Sequence, residues 1–338
     1  MVRVTDTFPA RLGRDIGGTP LTPLARLFPR DDVRVLAKLE NRNPTGSAKD
    51  RSALGIIRDA WEAGRLKPGT VVVESSSGNL AMAAARLARL LDFRFECVVD
   101  PRANARTVAA IEAYGAKVHR VTEPDPETGD FLVARLHLVR SLVEEIPGAI
   151  SLDQYSNVAA IRAHAEGTMR EIVDAAGAPD RLYVATSTTG TIGGCLRLVT
   201  DEHLPTEVVA VDAEGSVLFG GERGRRMLSG YGAGFVPPLS EHSQPARVAR
   251  VDDLSAIAAA RALVRAEGLL AGASTGAVMA AALREYDSLP AGATVVVMVH
   301  DGGMAYLDTV YDDDWVAEHF GLPAAALHRF VDELLGKA

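Results

Sequence analysis

Residues 70–91 read TVVVESSSGNLAMAAARLARLL, and this stretch indicates the fold class of the whole chain. A β-branched apolar run at 70–74 is followed by small polar residues and then by helical apolar spacing at 80–91. Further apolar runs are separated by helical patterns, and they lie at 33–39, 95–99, 117–122, 181–186, 207–213 and 294–299. Such near-continuous runs are typical of parallel strands buried on both faces. The alternation therefore predicts an α/β protein built from βαβ units.

Length and composition predict a globular protein of two domains and exclude several classes of protein. The chain has 338 residues, 47% of them hydrophobic, and a net charge of −8. This charge argues against nucleic acid or an anionic membrane as the main partner. No apolar run approaches the roughly 20 residues of a membrane span, and we expect no signal peptide. Only two cysteines occur, Cys97 and Cys195, which excludes a Cys-rich zinc site and favours a location in the reducing cytoplasm. We expect both side chains to be buried in the fold.

Four segments of small polar residues stand out as candidate binding loops. They are NPTGSAKDR (43–51), ESSSGNL (74–80), TSTTGTIGG (186–194) and AGASTGA (271–277). The first three adjoin predicted strands, and ligands of open α/β sheets bind at the carboxyl ends of strands. The fourth joins two predicted helices and places hydroxyl groups within an apolar stretch.

The first two segments each allow a functional and a structural interpretation. Lys49 lies at a predicted helix start, where the helix dipole lowers an amine pKa, as a Schiff-base lysine requires. Alternatively, Lys49 is a surface residue compensated by Asp50. The hydroxyl groups and backbone N–H groups at 74–80 could bind a carboxylate, or they could simply cap a helix.

The last two segments are equally ambiguous when each is taken alone. Residues 186–194 could bind a phosphate at a helix N-terminus or could form an ordinary cap. They lack both the P-loop lysine and the G-x-G-x-x-G fingerprint, which argues against a nucleoside triphosphatase and a dinucleotide site. In the fourth segment, Ser274 could bond a buried ligand atom or could cap a helix.

In this order, the four segments resemble the motifs of the fold type II pyridoxal-phosphate enzymes, the cysteine synthase and cystathionine β-synthase group. The resemblance begins at GGTPL (17–21) and extends to about residue 308, which is nearly the whole chain. It implies two three-layer αβα domains with mostly parallel sheets, as in the tryptophan synthase β-like fold. The smaller, mobile domain would be 43–155. The larger domain would be 1–42 with 156–338, and the protein would be a homodimer.

The resemblance also implies roles for individual residues, with pyridoxal 5'-phosphate as the cofactor and no metal. Lys49 would form the Schiff base, and Asn79 would bond the cofactor's phenolic oxygen. Ser274, with Thr275 as second choice, would meet the pyridine nitrogen. The phosphate would be held by Ser187, Thr188, Thr189, Gly190 and Thr191. The carboxylate of an amino-acid substrate would be held by Ser76, Ser77 and Gly78, with Gln154 opposite.

Departures from the cysteine synthase pattern point to a specialised branch of the family. The loop STTGT (187–191) stands where GTGGT is usual, and DQYSN (153–157) lacks the proline of Q-F-x-N-P. The segments CVVDPR (97–102), VDAEGSVLFGG (211–221) and GGMAYLD (302–308) also resemble that branch, which joins O-phospho-L-serine to L-glutamate. Its product supplies 2,3-diaminopropionate for siderophores and peptide antibiotics. The alternatives are a cysteine synthase using O-acetylserine or O-phosphoserine with sulfide, and a silent binding protein with the same fold.

A phosphate leaving group requires more positive charge than acetate, and Arg135 is the first candidate. We expect Leu132, Leu136 and Val139 to face the core and to point Arg135 elsewhere, so a solvated surface arginine is an equal alternative. Tyr155 and Ser187 are further candidates. Three arginines of the long loop 214–244 could bind glutamate, although an exposed charge run is favoured for them: Arg223, Arg225 and Arg226. His164 is expected to have a packing role.

Overall fold

The computed structural model describes residues 8–336, in which ten strands and eleven α-helices alternate. The strands are β1 (Leu21–Pro23), β2 (Arg34–Leu39), β3 (Val71–Ser75), β4 (Arg94–Val99), β5 (Lys117–Arg120), β6 (Ile150–Ser151), β7 (Arg181–Ala185), β8 (Glu207–Ala213), β9 (Arg247–Val251) and β10 (Thr294–Val299). The helices are α1 (Lys49–Glu62), α2 (Asn79–Leu91), α3 (Ala105–Ala113), α4 (Phe131–Glu145), α5 (Ala159–Ala163), α6 (Arg170–Ala176), α7 (Gly190–Asp201), α8 (Asp253–Glu267), α9 (Ala273–Glu285), α10 (Asp313–Phe320) and α11 (Ala324–Gly336).

The contacts divide the described chain into two compact units. The first unit comprises 8–17, 43–45 and 49–163, and the second comprises 18–42, 46–48 and 164–336. The domain bounds expected from the sequence, 43–155 against 1–42 with 156–338, stay a prediction. Each unit is built around its own sheet.

The first unit contains a four-stranded sheet in the order β5-β4-β3-β6, with every neighbouring pair parallel. Val71 and Val73 of β3 pack against Val139 of α4, on one face of this sheet. Val72 lies between them in sequence and is also fully buried, at 0% exposure. Because successive strand residues point to opposite faces, β3 must be covered on both sides.

The second unit contains a six-stranded sheet in the order β1-β2-β10-β7-β8-β9, in which only the β1–β2 pair is antiparallel. Along β10, Val295, Val297 and Val299 enter the core cluster that contains α8 and α9. Val296 and Met298 enter the cluster that contains α7 on the other face. Helices therefore cover both faces of the sheet. The predicted α/β fold class with mostly parallel sheets is confirmed.

Two secondary-structure predictions differ from the structure. The apolar spacing of residues 158–175 predicts one continuous helix, but a π-helical turn, His164–Met169, divides this stretch into α5 and α6. The turn contains two buried polar residues, His164 and Thr168, which are four positions apart. His164 Nδ1 lies 2.9 Å from Thr168 Oγ1. Three strands were also absent from the prediction, namely β1, β6 and β9.

The burial of both cysteines, which the sequence predicts, is confirmed by the described residues. Cys97 and Cys195 are both fully buried, and burial raises the pKa of the Cys97 thiol to about 12. The C-terminal region forms a pair of helices, α10 and α11, whose apolar residues pack into the core of the second unit. Within residues 8–336, no helix is both long enough and apolar enough to cross a membrane.

Candidate active site

Lys49 is the first residue of α1, as the sequence predicts, and its side chain is half-buried. The preceding turn is organised by Asp50, whose carboxylate accepts hydrogen bonds from Thr45 Oγ1 at 2.8 Å and Thr45 N at 3.2 Å. Asp50 is only 1% exposed, so it is a buried part of the turn and not a surface counter-charge. The positive end of a helix dipole disfavours a charged amine at this position.

The predicted carboxylate loop joins β3 to α2 in the first unit. Ser76 is buried, while Ser77, Gly78 and Asn79 are half-buried. Gly78 occupies the N-cap of α2, and no side-chain hydrogen bond caps the helix there. The interpretation of this loop as an ordinary serine or asparagine cap is therefore wrong. Backbone N–H groups at such a helix start can bind an anion.

Gln154 lies beside this loop, where its Nε2 donates a hydrogen bond of 3.0 Å to the Ser75 carbonyl oxygen. Glu74, which the sequence analysis did not assign, lies under the same loop and is 2% exposed. Its Oε1 accepts a hydrogen bond from Ser75 N at 3.0 Å, whereas its Oε2 is buried without a partner among the described residues. Burial and the nearby charge of Asp153 raise the pKa of Glu74 to about 8.

Arg135 is buried, so its interpretation as a solvated surface arginine is wrong. The residue is 9% exposed, and its Nε lies 3.3 Å from Asp100 Oδ2. The expectation that Arg135 points away from Val139 is also wrong, since these two residues form the buried face of α4. Positions i and i+4 share one side of a helix, and the Asp100 carboxylate allows the cation to occupy that side.

Tyr155 belongs to the same part of the first unit. Burial raises the pKa of the Tyr155 hydroxyl to about 12, although the positive charge of Arg135 acts in the opposite direction. The phenol is therefore a neutral hydrogen-bonding group near a buried guanidinium. Tyr155 and Arg135 were both substrate candidates from the sequence, and the structure brings them into one cluster.

The predicted phosphate loop joins β7 to α7 in the second unit. Thr189 occupies the N-cap of α7 with φ of 68°, in the left-handed region, and no side-chain hydrogen bond caps the helix. Its Oγ1 is buried and has no partner among the described residues. Thr191 Oγ1 lies 3.3 Å from Nε2 of His164, a residue that is 0% exposed. The sequence assigned His164 a packing role and did not link it to this loop.

Ser274 lies in the first turn of α9 and is 2% exposed. Its hydroxyl lies 3.4 Å from Oδ1 of Asp301, and Tyr306 OH donates to the other carboxylate oxygen at 2.8 Å. The hydroxyl of Thr275 instead accepts a hydrogen bond from His300 N at 3.2 Å, which favours Ser274 for a ligand contact. A Cβ atom at Gly272 would lie 2.1 Å from Asp301 Oδ1, so only glycine allows this close approach.

The three arginines of the long loop differ in their surroundings. Arg223 and Arg225 are exposed, as expected for a solvated charge run. Arg226 is half-buried, and desolvation lowers its pKa. The preferred interpretation of the three as an exposed run is thus wrong for Arg226. Its position opposite two glycines, Gly232 and Gly234, explains its burial, because glycines leave room for the guanidinium.

Neither Asp301 nor a role for Asp100 follows from the sequence motifs, although both residues lie just after strands. Asp301 comes two residues after β10 and Asp100 one residue after β4. Polar residues at the carboxyl ends of parallel strands are a general signal of binding sites, and this signal could have identified both.

The donor groups of the second unit fit a phosphorylated aromatic cofactor. An uncapped helix start with an unpartnered buried hydroxyl, that of Thr189, is suited to a phosphate. The buried hydroxyl of Ser274 is suited to a ring nitrogen. Among residues 8–336, no group of three or more His, Cys, Asp or Glu side chains is placed to hold a metal ion.

Comparison with known proteins identifies the family. The family model of pyridoxal-phosphate dependent enzymes matches residues 12–301. The chain is 43% identical over 307 residues to N-(2-amino-2-carboxyethyl)-L-glutamate synthase of Ralstonia nicotianae, covering 89% of each protein. Among solved structures, it resembles O-acetylserine dependent cystathionine β-synthase of Helicobacter pylori with a TM-score of 0.81, at 27% identity over 90% of this chain and 98% of that one.

O-ureido-L-serine synthase has the same TM-score of 0.81 at 30% identity, again covering 90% of this chain and 98% of its own. The family match includes both sheets and all four polar segments, and it ends at residue 301. The chain belongs to the family of pyridoxal-phosphate dependent enzymes.

Proposed function

We propose that this protein catalyses a β-replacement in which O-phospho-L-serine and L-glutamate give N-(2-amino-2-carboxyethyl)-L-glutamate and phosphate. The observation that carries this proposal is the burial of Arg135 beside Asp100, in the unit that contains the 75–79 loop. A buried guanidinium suits a phosphate leaving group. The relative that is 43% identical carries the name of the synthase for this product, which supports the same choice.

Pyridoxal phosphate would be held by residues of the four polar segments that the sequence singles out. Lys49 would bind it covalently through its amine, and Asn79 would bond its phenolic oxygen. The loop 187–191 would hold its phosphate through backbone N–H groups and hydroxyls, and Ser274 would meet its ring nitrogen. When bound, the cofactor supplies an electron sink for negative charge at the substrate Cα.

The amino-acid part of phosphoserine would be held by the loop between β3 and α2. Ser76, Ser77 and Gly78 would bind its carboxylate, with Gln154 contributing through its amide. Arg135 would bind the phosphate, assisted by Tyr155 and Ser187. Charge-assisted hydrogen bonds of this type to phosphate are short and strong.

Lys49 would move the proton that the reaction requires. Its amine removes the proton from Cα of phosphoserine and holds it while the Cβ–O bond breaks. The phosphate leaves with the electron pair of that bond, and Arg135 stabilises its charge. The amine of glutamate then forms the new C–N bond at Cβ and loses a proton to solvent. Lys49 returns its proton to Cα, and no oxidant or reductant is consumed.

The hydroxyl of Ser274 would determine which reaction is favoured. A neutral hydroxyl cannot protonate a ring nitrogen strongly, whereas an aspartate at this position would keep that nitrogen charged. Weaker stabilisation of negative charge at Cα suits elimination of a β-substituent over transamination or racemisation. We infer that this residue directs the chemistry toward β-replacement.

The family resemblance also suggests an oligomeric state, a cellular location and a use for the product. The protein would act as a homodimer in the cytoplasm, and its two buried cysteines are compatible with a reducing compartment. Its product would supply 2,3-diaminopropionate for a siderophore or a peptide antibiotic.

The test is to incubate the holoenzyme with phosphoserine and glutamate and to identify products by mass spectrometry. We expect the glutamate adduct and phosphate in equal amounts. The competing function is that of a cysteine synthase using O-acetylserine or O-phosphoserine with sulfide. Formation of cysteine from sulfide, without an adduct from glutamate, would establish that function instead. A protein that binds no cofactor would contradict both.

A further inference from the structure

The segment CVVDPR (97–102) builds an ion cluster at the end of β4. Asp100 directly follows the strand and is 6% exposed. Its Oδ1 accepts hydrogen bonds from Arg102 N at 2.9 Å and from Arg102 Nε at 3.2 Å. Its Oδ2 accepts a third hydrogen bond from Arg102 Nη2 at 3.0 Å. Both oxygens of this carboxylate are thus fixed in position by one neighbouring arginine.

Arg135 approaches the same carboxylate from α4. Its Nε lies 3.3 Å from Asp100 Oδ2, but it forms no well-aligned hydrogen bond within the described chain. The guanidinium is therefore held mainly by charge, in a site that is nine-tenths buried. A buried cation is retained only where a carboxylate or a ligand compensates for its lost hydration.

Arg102 is in turn supported by α4. Its guanidinium carbon lies 5.2 Å from the centroid of the Phe131 ring, and its side chain is 64% exposed. Phe131 and Arg135 are four residues apart and so lie on one side of α4. The cluster consequently contains two guanidinium groups and the Asp100 carboxylate, and the negative charge of Asp130 also acts on Arg102.

We propose that Asp100 is a positioning residue for phosphate recognition: it orients the Arg135 guanidinium, and Arg102 fixes Asp100. This inference rests on the proposed function and explains why Asp-Pro-Arg follows β4. The buried Arg135 guanidinium, which Asp100 holds through its charge, matches a phosphate dianion better than a neutral acetyl group. Burial raises the pKa of Asp100, but the hydrogen bond from Arg102 and the charge of Arg135 outweigh it, so the pKa is lowered overall.

Asp100→Asn is the direct test because it keeps the shape and removes the charge. With the holoenzyme, we expect KM for phosphoserine and the inhibition constant of inorganic phosphate each to rise about ten-fold, because the buried Arg135 guanidinium loses the charge that orients it. KM for glutamate should remain within about two-fold of wild type, since the amide oxygen of the variant still accepts the hydrogen bond from Arg102 N and leaves distant contacts unchanged. Asp100→Glu should recover part of the phosphate affinity by restoring the charge.

Two additional variants keep the test decisive. Arg102→Gln changes an exposed side chain and should weaken phosphate inhibition by about three-fold, even if Asp100→Asn does not fold. Asp59→Asn is the matched control, because Asp59 pairs with Arg65 and Arg162 elsewhere in the same unit and should leave every constant unchanged.

The outcomes separate this inference from the proposed function. A wild-type enzyme that releases no phosphate from phosphoserine contradicts the proposed function. If the wild type does release it, unchanged or tighter phosphate inhibition in Asp100→Asn and Arg102→Gln overturns only the positioning role. An equal loss of affinity for phosphate and glutamate would also overturn it, because that result indicates a general structural defect.

Discussion

The hydroxyl of Ser274 lies 3.4 Å from the Asp301 carboxylate, which Tyr306 fixes through a 2.8 Å hydrogen bond. Ser274→Ala should lower turnover by about five-fold, since it removes one hydrogen bond worth roughly 1 kcal/mol. Ser274→Asp should lower turnover by at least about a hundred-fold, because it places a second carboxylate beside Asp301 in a buried site. Steady-state kinetics and the absorbance of the bound cofactor test both, and a more active Ser274→Asp enzyme would contradict the assigned role.

Lys49→Ala should abolish both turnover and the visible absorbance of covalently bound pyridoxal phosphate, because it removes the amine that binds the cofactor and moves the Cα proton. The exposed Lys67 provides a control, and Lys67→Ala should resemble wild type in both measurements. Turnover that survives in Lys49→Ala would indicate that another lysine performs this role.

Thr189→Gly should separate the backbone role of Thr189 from its binding role. Glycine accepts φ of 68° without strain but gains freedom in the unfolded chain, so the melting temperature of the apoenzyme should change little. The dissociation constant of pyridoxal phosphate should rise about five-fold, since the Oγ1 donor is lost. Equilibrium titration of the apoenzyme measures this constant.

The chain offers a matched control for that titration in Thr206→Val. Thr206 Oγ1 is another buried hydroxyl without a partner among the described residues, but it lies outside the phosphate loop. Its removal should leave cofactor affinity unchanged. Equal weakening in both variants would show that the effect at Thr189 is not local.

Much of the fold could be predicted from the sequence, because central strands buried on both faces give continuous apolar runs. The three missed strands, β1, β6 and β9, all lie at sheet edges. An edge strand has a neighbour on one side only, so it can be short and polar. β9 reads RVARV, with arginines at its first and fourth positions, and β6 has only two residues. Neither pattern is distinguishable from a loop by composition.

The positions of candidate site residues could be predicted where one segment supplies several polar groups. They could not be predicted where residues from distant segments contact each other. Lys49 at the start of α1 and Thr189 at the start of α7 follow from local patterns. The burial of Arg135 depends on Asp100, 35 positions earlier in the chain, and helical periodicity carries no information about that partner. The bond between His164 and Thr191 likewise joins two segments that show no relation in sequence.

Glu74 predicts a dependence of stability on pH. Its pKa is raised from 4.5 to about 8, chiefly by burial, so the folded protein holds a proton that the unfolded chain releases above pH 4.5. This contribution to stability is fully present below pH 4.5 and is lost as pH rises toward about 8. Glu74→Gln should therefore show a smaller fall in melting temperature between pH 5 and pH 8.5 than wild type.

Differential scanning calorimetry at the two pH values tests that prediction. The exposed Glu62 provides the control, since Glu62→Gln should preserve the wild-type pH dependence. A Glu74→Gln protein with the full wild-type fall in melting temperature would mean that Glu74 is ionised in the folded state across this range.

The most direct measurement is a competition in one vessel. The holoenzyme is supplied with O-phosphoserine and equal concentrations of ¹⁵N-labelled glutamate and sulfide, and all products are quantified by mass spectrometry. We expect most of the phosphate released to be matched by N-(2-amino-2-carboxyethyl)-L-glutamate carrying the ¹⁵N label. Cysteine as the main product, with no labelled adduct, would contradict it.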